Sequence, residues 1–405
     1  MTAPGIRVLL AALALGLAAT PVAVAEGARV DYREWRSAQL LAGAHEGTAF
    51  ARGGLVVRHP VGVLEHGGRA YEYARWTSPR RATGFDATQA VASWNAATPA
   101  GTWLQVEFGR VGPGDEGTSW YVMGRWALGD ADVARTSVPG QGDEHGHVDV
   151  DTFVAEQPLR AYRLRVTLYR AAGTTATPLL RMAGAMASAV PDRFEVPASA
   201  PGVARGIELP VPRYSQNVHE GHYPEYDGGG EAWCSPTSTT MVVEYHGRGP
   251  TEDELSWVDP GHADRVVDHA ARHTYDHDYR GAGNWPFNTA YAASFGLEAH
   301  VTRLRSLSEL ESWIARGVPV ITSQSFREDE LDGAGYGTAG HIMVVVGFTE
   351  EGDVIANDPA SPSNAAVRRV YDRRQFENIW LRTLRYRADG TVAGGSGGIA
   401  YLVTK

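Results

Sequence analysis

Cys234 is the only cysteine in the 405-residue chain, and it stands in the stretch GGGEAWCSPTSTTMVVEYHG, residues 228–247. Pro236 occupies a position that the first turn of a helix accepts, and Gly247 one where helices often stop. This predicts a helix that begins at or just before the thiol. A thiol there meets the positive pole of the helix dipole and free backbone N–H groups, conditions that suit a nucleophile. Nucleophilic chemistry also needs a base and a group that orients the base. Among 14 histidines, His341 is distinctive because it follows the small-residue loop DGAGYGTAG and opens the apolar run HIMVVVGF. Asp358, in Asn357-Asp358-Pro359, closes the segment GDVIAND, which reads as the hairpin partner of that run. A hairpin brings such positions together, so the carboxylate could hold the second ring nitrogen. Taken singly, His341 reads as a satisfied strand-end histidine and Asp358-Pro359 as a turn. The joint order Cys, His, Asp on matching elements favours a site.

These residues must be positioned by a central helix and a buried strand. The Thr and Val residues after Cys234 are indifferent helix formers, so tertiary burial has to hold that helix. Nearby, Thr251 and Glu254 have capping-box spacing in TEDELSWV. SLSELESWIARG predicts a helix with Ser306 or Ser308 as cap and Gly317 as stop, followed by the β-branched run VPVITS. GAGNWPFNTAYAASFG predicts a turn, then a helix from near Asn288 to Gly296, with Trp285 and Phe287 in the core.

Ahead of this mixed region the texture is different. YRLRVTLYR (162–170) alternates Tyr162, Leu164, Val166 and Leu168 against Arg163, Arg165, Thr167 and Tyr169. TWLQVEFGR (102–110) alternates in the same way, the period of half-buried strands. Such strands between turn signals indicate an antiparallel β-sandwich. Residues 187–206, rich in Ala, Pro and Ser, read as a linker. The expected organisation is a signal peptide over 1–25, an all-β accessory domain over 26–186, the linker, and an α+β domain over 207–405 that carries the whole constellation. A fragment from about residue 207 would then be expected to fold alone.

The signal-peptide reading rests on Arg7, the apolar run from Val8 to Ala19 and the small residues Ala23-Val24-Ala25. It predicts a secreted, extracellular protein. Elsewhere no segment reaches the roughly 20 apolar residues of a membrane span. In an exported chain an unpaired cysteine is unusual and points to reactivity or intermolecular pairing. The formal net charge of −10 argues against nucleic acid as a partner.

PVPRYSQ (210–216), WCSPTST (233–239), GHIMVVVGF (340–348) and VIANDPA (354–360) together resemble the papain-fold cysteine peptidases of the double-glycine, bacteriocin-processing type. They look most like a secreted branch without the transporter. The resemblance covers about residues 208–405. It implies Cys234 as nucleophile, His341 as base, Asp358 as orienter and Gln216 as an oxyanion-hole donor, acting on a peptide or protein substrate without cofactor or metal. Two departures stand out: Ser235 replaces the Gly common after the cysteine and could crowd the oxyanion pocket, and the gap from Gln216 to Cys234 is long. Cleavage after Gly-Gly at a membrane exporter does not carry over. A cell-wall peptide amidase or acyltransferase on the same fold, or a binding protein that kept the scaffold, are the alternative readings.

Two further groups of residues carry a functional and a structural reading each. His269, His273 and His277 recur at four-residue intervals, one face of a helix that could chelate a metal but more simply forms a structural face. Trp94, Trp103, Trp120 and Trp126 could form a carbohydrate- or cell-wall-binding surface, or fill a sandwich core.

Overall fold

The protein is described from a computed structural model, which covers residues 27–112 and 117–405. The segment expected as a signal peptide lies outside the described residues. From Arg29 to Ala189 the described chain is β-rich. Its strands of eight or more residues are β1 (Arg29–Arg36), β2 (Arg69–Thr77), β3 (Arg81–Ala97), β4 (Thr102–Val111), β5 (Thr118–Trp126), β6 (Thr152–Ala171) and β7 (Leu179–Ala189). The expected alternation holds where it was read: Tyr162, Leu164, Val166 and Leu168 are fully buried, as are Leu104, Val106 and Phe108. Glu107 is buried too, where Arg165 neutralises it from the neighbouring strand at 2.5 Å.

These strands do not divide into two separately hydrogen-bonded sheets. β6 pairs with β3 along its first half and lies between β2 and β4 along its second, so all thirteen described strands join in one network. Register shifts at Val154, Leu159 and Ala161 let the long strand change partners. Strands that switch sheets through such bulges make the corners of orthogonal packings. Trp94, Trp103 and Trp126 have no exposed surface, so they fill the core and leave no stacking platform for a sugar. Trp120 is covered by the Arg165 guanidinium, 4.1 Å from its ring centre.

Residues 190–206 contain no strand or helix. They are nevertheless docked: Val196 and Ala204 enter the core of the following half, and Ser199 hydrogen-bonds Glu377 through both its backbone N–H and its hydroxyl.

Helices and strands mix in the second half. Its helices are α1 (Cys234–Tyr245), α2 (Arg265–Thr274), α3 (Trp285–Ser294), α4 (Leu307–Ile314) and α5 (Arg373–Leu381). Its main sheet is antiparallel, built from β8 (Glu298–Arg303), β9 (Val320–Phe326), β10 (Thr338–Phe348), β11 (Val354–Asn357), β12 (Arg368–Tyr371) and β13 (Ile399–Thr404) in the order β8-β13-β9-β10-β11-β12. The apolar run at His341 is central because both of its faces are covered. Ile342, Val344 and Val346 pack with Met241 and Val242 of α1, while Met343 and Val345 pack with residues of α4 and α5. Alternate residues of one strand thus serve two layers.

Two helix readings shift. α3 begins three residues before Asn288, because Asn284 caps it by accepting from the Phe287 N–H at 3.1 Å and Pro286 fits its first turn. The capping box at Thr251 forms, with both reciprocal hydrogen bonds present, yet only turns follow it, and Pro260-Gly261 lie just beyond.

The two halves share core. Phe287 of α3 packs between Trp94 and Trp126, ring centres 6.0 and 5.5 Å away. β8 is an edge of the second sheet, and β3 covers it through side chains. Asn95 donates to the Ala299 carbonyl at 2.8 Å, Ser93 accepts from the Val301 N–H at 3.0 Å, and Gln89 accepts from Arg303 at 2.6 Å. The buried Arg135 donates to the carbonyls of Arg272 and His273 near the C-terminal end of α2, where the helix dipole favours a cation.

Candidate active site

Cys234 is the first residue of α1, directly after a 3-10 turn over Gly230–Trp233. Every residue from Ser235 to Val243 is buried, which explains how a run of Thr and Val stays helical. Three hydroxyls fix the helix. Thr237 donates to the Trp233 carbonyl at 2.7 Å, Ser238 to the Ile342 carbonyl at 3.2 Å, and Thr239 to Asn288 at 3.2 Å. The Ser238 contact ties the cysteine helix to the strand of His341. Ser235 turns inward, its hydroxyl 3.0 Å from Tyr401 Oη, so the residue that replaces the usual Gly does not line the cavity.

Cys234 is half-buried and lines an open cavity of about 430 Å³, together with His341, Trp285, Tyr279, Gln324 and Ser325. Trp285, expected in the core, is a wall of this cavity. His341 is 4% exposed, its Nε2 lies 2.8 Å from Asp358 Oδ1, and it lines the same cavity as the thiol. With Nε2 committed to the carboxylate, Nδ1 is the nitrogen left for sulfur. Burial opposes charge on the imidazole, but the Asp358 carboxylate and the thiol outweigh it and push the pKa up to about 10.

Asp358 is wholly buried, which by itself would raise its pKa. His341 and two tyrosine hydroxyls reverse the shift and hold it below the ordinary carboxylate value. Tyr336 and Tyr371 donate to Oδ2 at 2.8 and 2.6 Å, and the Ala360 N–H donates to Oδ1 at 3.0 Å. Both phenols are pushed up by burial and by the carboxylate, so they remain donors. The tyrosines were not singled out from the sequence. Tyr336 sits in the glycine-rich loop before His341, where it also packs edge-on against the imidazole at 5.6 Å.

Gln216 is 2% exposed and sits at the turn before Asn217, where its N–H donates to the Pro359 carbonyl at 2.9 Å. Its backbone is therefore fastened to the turn that follows Asp358. Its Oε1 has no partner, and it is not among the cavity-lining residues. Gln324 does line the cavity. It pairs in register with His341 across β9 and β10, is 1% exposed, and both of its side-chain amide atoms lack partners. The neighbouring Ser325 hydroxyl is also unpartnered. Orphaned buried polar atoms are costly, and in a cleft they mark places where a substrate can complete the hydrogen bonds.

The helix-face histidines form no common ligand set. His269 and His273 stack at 3.9 Å on α2, His269 meeting Tyr291 Oη at 2.9 Å and His273 the His269 carbonyl at 2.7 Å, while His277 lies beyond the helix end. Burial lowers both pKa values, that of His269 to about 4.

Comparison with known proteins gives two family matches. The family described as "Peptidase C39 N-terminal domain" matches residues 31–188, and the "Peptidase_C39 like family" matches residues 208–387. The chain belongs to the C39-like peptidase family. Family membership supports a cysteine peptidase-type hydrolase, and the second half, with its helices and strands, is consistent with the papain-like fold of such peptidases. Among solved structures, a crystal structure assigned to a C39-like peptidase of Bacillus anthracis is 18% identical, covers 49% of this chain and 97% of its own, and has a TM-score of 0.29. One assigned to a beta-glucanase of Mycobacterium abscessus is 14% identical, covers 33% of this chain and 76% of its own, and has a TM-score of 0.17. No curated protein matches. Among the described residues no helix is long and apolar enough to cross a membrane.

Proposed function

We propose that this C39-like chain is a secreted thiol hydrolase that cleaves peptide bonds through Cys234, His341 and Asp358. The observation that carries this reading is the buried His341–Asp358 pair, held at 2.8 Å beside a half-exposed thiol in one cavity. In the proposed reaction His341 already holds the proton of the Cys234–His341 pair as an imidazolium, and the Cys234 thiolate attacks the substrate carbonyl carbon. The resulting oxyanion takes a hydrogen bond from the Cys234 backbone N–H, and the family resemblance assigns a second to Gln216, whose side chain would have to turn toward the cavity it does not line. His341 then gives its proton to the leaving amine, and the acyl-enzyme is released when His341 takes a proton from an attacking water. Asp358, fixed by two tyrosines, keeps the imidazole in the tautomer and orientation this cycle needs. The secretion part of the reading rests on the leader-like sequence. Turnover of unblocked peptides with release of free carboxylates, measured by mass spectrometry of a peptide-library digest, tests hydrolysis; transfer of the acyl group to added amines in preference to water would indicate an acyltransferase instead.

The raised pKa of His341 sets a pH expectation. Because Asp358 favours the protonated ring, kcat/KM should hold through neutral pH and fall only as the pH rises toward about 10. Asp358→Asn removes the anion, so that alkaline limb should move to lower pH. The same variant should lose about 10²- to 10⁴-fold in kcat by loosening the ring. A limb that stays in place in the variant would mean that Asp358 does not govern His341.

The two glutamines should separate kinetically. Gln324→Ala removes a contact made throughout binding, so KM should rise about 10-fold with kcat little changed. Gln216→Ala should instead lower kcat by about 100-fold if its amide serves the oxyanion. A Gln324→Ala loss confined to kcat would transfer the oxyanion role to Gln324.

A further inference from the structure

We propose that His219, His222 and Asp268 form a metal site of the zinc type that fastens residues 217–233 to α2. The inference does not depend on the hydrolase reading. It concerns the segment that lengthens the gap between Gln216 and Cys234, and a histidine set different from the helix-face series.

Asp268 lies in the first turn of α2 and is wholly buried. Three imidazoles face its carboxylate. Nδ1 of His222 is 2.8 Å from Oδ1, Nδ1 of His219 is 3.1 Å from Oδ2, and Nδ1 of His262 is 3.4 Å from Oδ1. One ligand atom from each of His219, His222 and Asp268 lies within 4.8 Å of the others. Around an ion bound at 2.0–2.2 Å in tetrahedral geometry, neighbouring ligand atoms sit about 3.3 Å apart, close to these separations. His262 stacks on His222 with ring centres 3.4 Å apart and so holds that ring in place.

The decisive detail is what His219 lacks. Its ring is wholly buried, yet neither nitrogen has a hydrogen-bond partner, and Asp268 Oδ2 is unpartnered as well. Nδ1 and Oδ2 are close enough for a hydrogen bond but out of line for one. A shared cation satisfies both atoms without requiring either to point at the other. Imidazole with carboxylate is a donor set that suits zinc among the common divalent ions.

The surrounding chain is built for close approach. Gly229 has φ +69°, and a Cβ there would lie 1.8 Å from the His219 carbonyl oxygen. Trp233, adjacent to Cys234, packs 5.9 Å from the His219 ring. None of the three ligand residues lines the cavity, so the ion would hold the approach to α1 and take no part in bond cleavage.

The test uses the full chain carrying Cys234→Ala, because a thiol beside an imidazole binds zinc on its own account. After incubation with Zn²⁺ and exhaustive dialysis, elemental analysis should find about one equivalent, and Co²⁺ should give the visible absorption of a low-coordinate site. His219→Ala and Asp268→Asn should weaken Zn²⁺ binding about 100-fold or more. His222→Gln, at a partly exposed residue that puts folding at little risk, should do the same and should abolish the rise in Tm on adding Zn²⁺. His269→Gln with His273→Gln should leave binding unchanged. Retention of less than a tenth of an equivalent by the parent, or equal Zn²⁺ affinity in His222→Gln, overturns the proposal; so does loss of binding only when His269 and His273 are replaced.

Discussion

Cys234→Ala should abolish hydrolysis, with a loss of about 10⁴- to 10⁶-fold in kcat, while the protein stays folded. The size of the effect follows from nucleophilic catalysis, in which removal of the attacking group leaves only binding and oxyanion stabilisation. Folding should survive because the side chain is half-buried at a helix start, and α1 is held by its buried face and by the hydroxyls of Thr237, Ser238 and Thr239. The same geometry predicts direct labelling. His341 keeps its proton up to about pH 10, so an imidazolium faces the sulfur throughout the neutral range. Iodoacetamide should therefore modify the native protein, since the half-buried thiol opens onto the cavity beside that cation. His341→Ala removes the cation and should slow labelling, whereas Asp358→Asn should slow turnover more than labelling. If Cys234 stays unmodified at pH 6 and at pH 9 until the protein is denatured, it is a packing residue and the hydrolase reading falls.

The second large effect is structural and reverses an expectation from composition. A fragment beginning near residue 207 should fail to fold as a soluble monomer, and the intact protein should unfold in one transition. Cutting there strips Trp94 and Trp126 from Phe287, exposes the edge strand β8, and leaves the Arg272 and His273 carbonyls without Arg135. An uncovered, partly apolar edge strand is also a template for aggregation. Phe287→Ala offers a point test in the full chain. The loss of a buried phenyl ring in a tight aromatic cluster should cost about 3–5 kcal/mol, and the cost should appear in the unfolding of both halves together. Two separated calorimetric transitions, with only one shifted by the substitution, would show that the halves are independent.

Much of the local structure was legible because it follows from short-range rules. Alternation at 102–110 and 162–170 determines which side chains a strand can bury, and the observed burial follows it. Ser306 caps α4 by accepting from the Glu309 N–H, and the apolar run at His341 is central because no exposed face could tolerate it. The positions of Cys234 at a helix start and His341 on a central strand come from the same rules. The reading near Thr251 failed for a related reason: a cap supplies two hydrogen bonds, but Leu255 and Val258 bury only a single turn before Asp259-Pro260-Gly261 ends it.

What tertiary structure decided are contacts between residues far apart in sequence. Tyr371 reaches Asp358 only because β11 and β12 pair in a given register, and Gln324 stands beside His341 only because β9 and β10 do. Whether such polar atoms end up partnered or orphaned depends on that register, which no spacing along one strand encodes. The same holds for histidines. The regular series His269, His273 and His277 drew notice by its period but packs as neutral rings. His219, His222 and His262 have no helical period and meet at Asp268 because a loop folds back onto α2. The sharing of one core by two halves was hidden as well. A Pro- and Ala-rich stretch marks where regular structure lapses, but the burial of Phe287 between Trp94 and Trp126 depends on how the two sheets dock, and that is settled by shape complementarity across the whole chain.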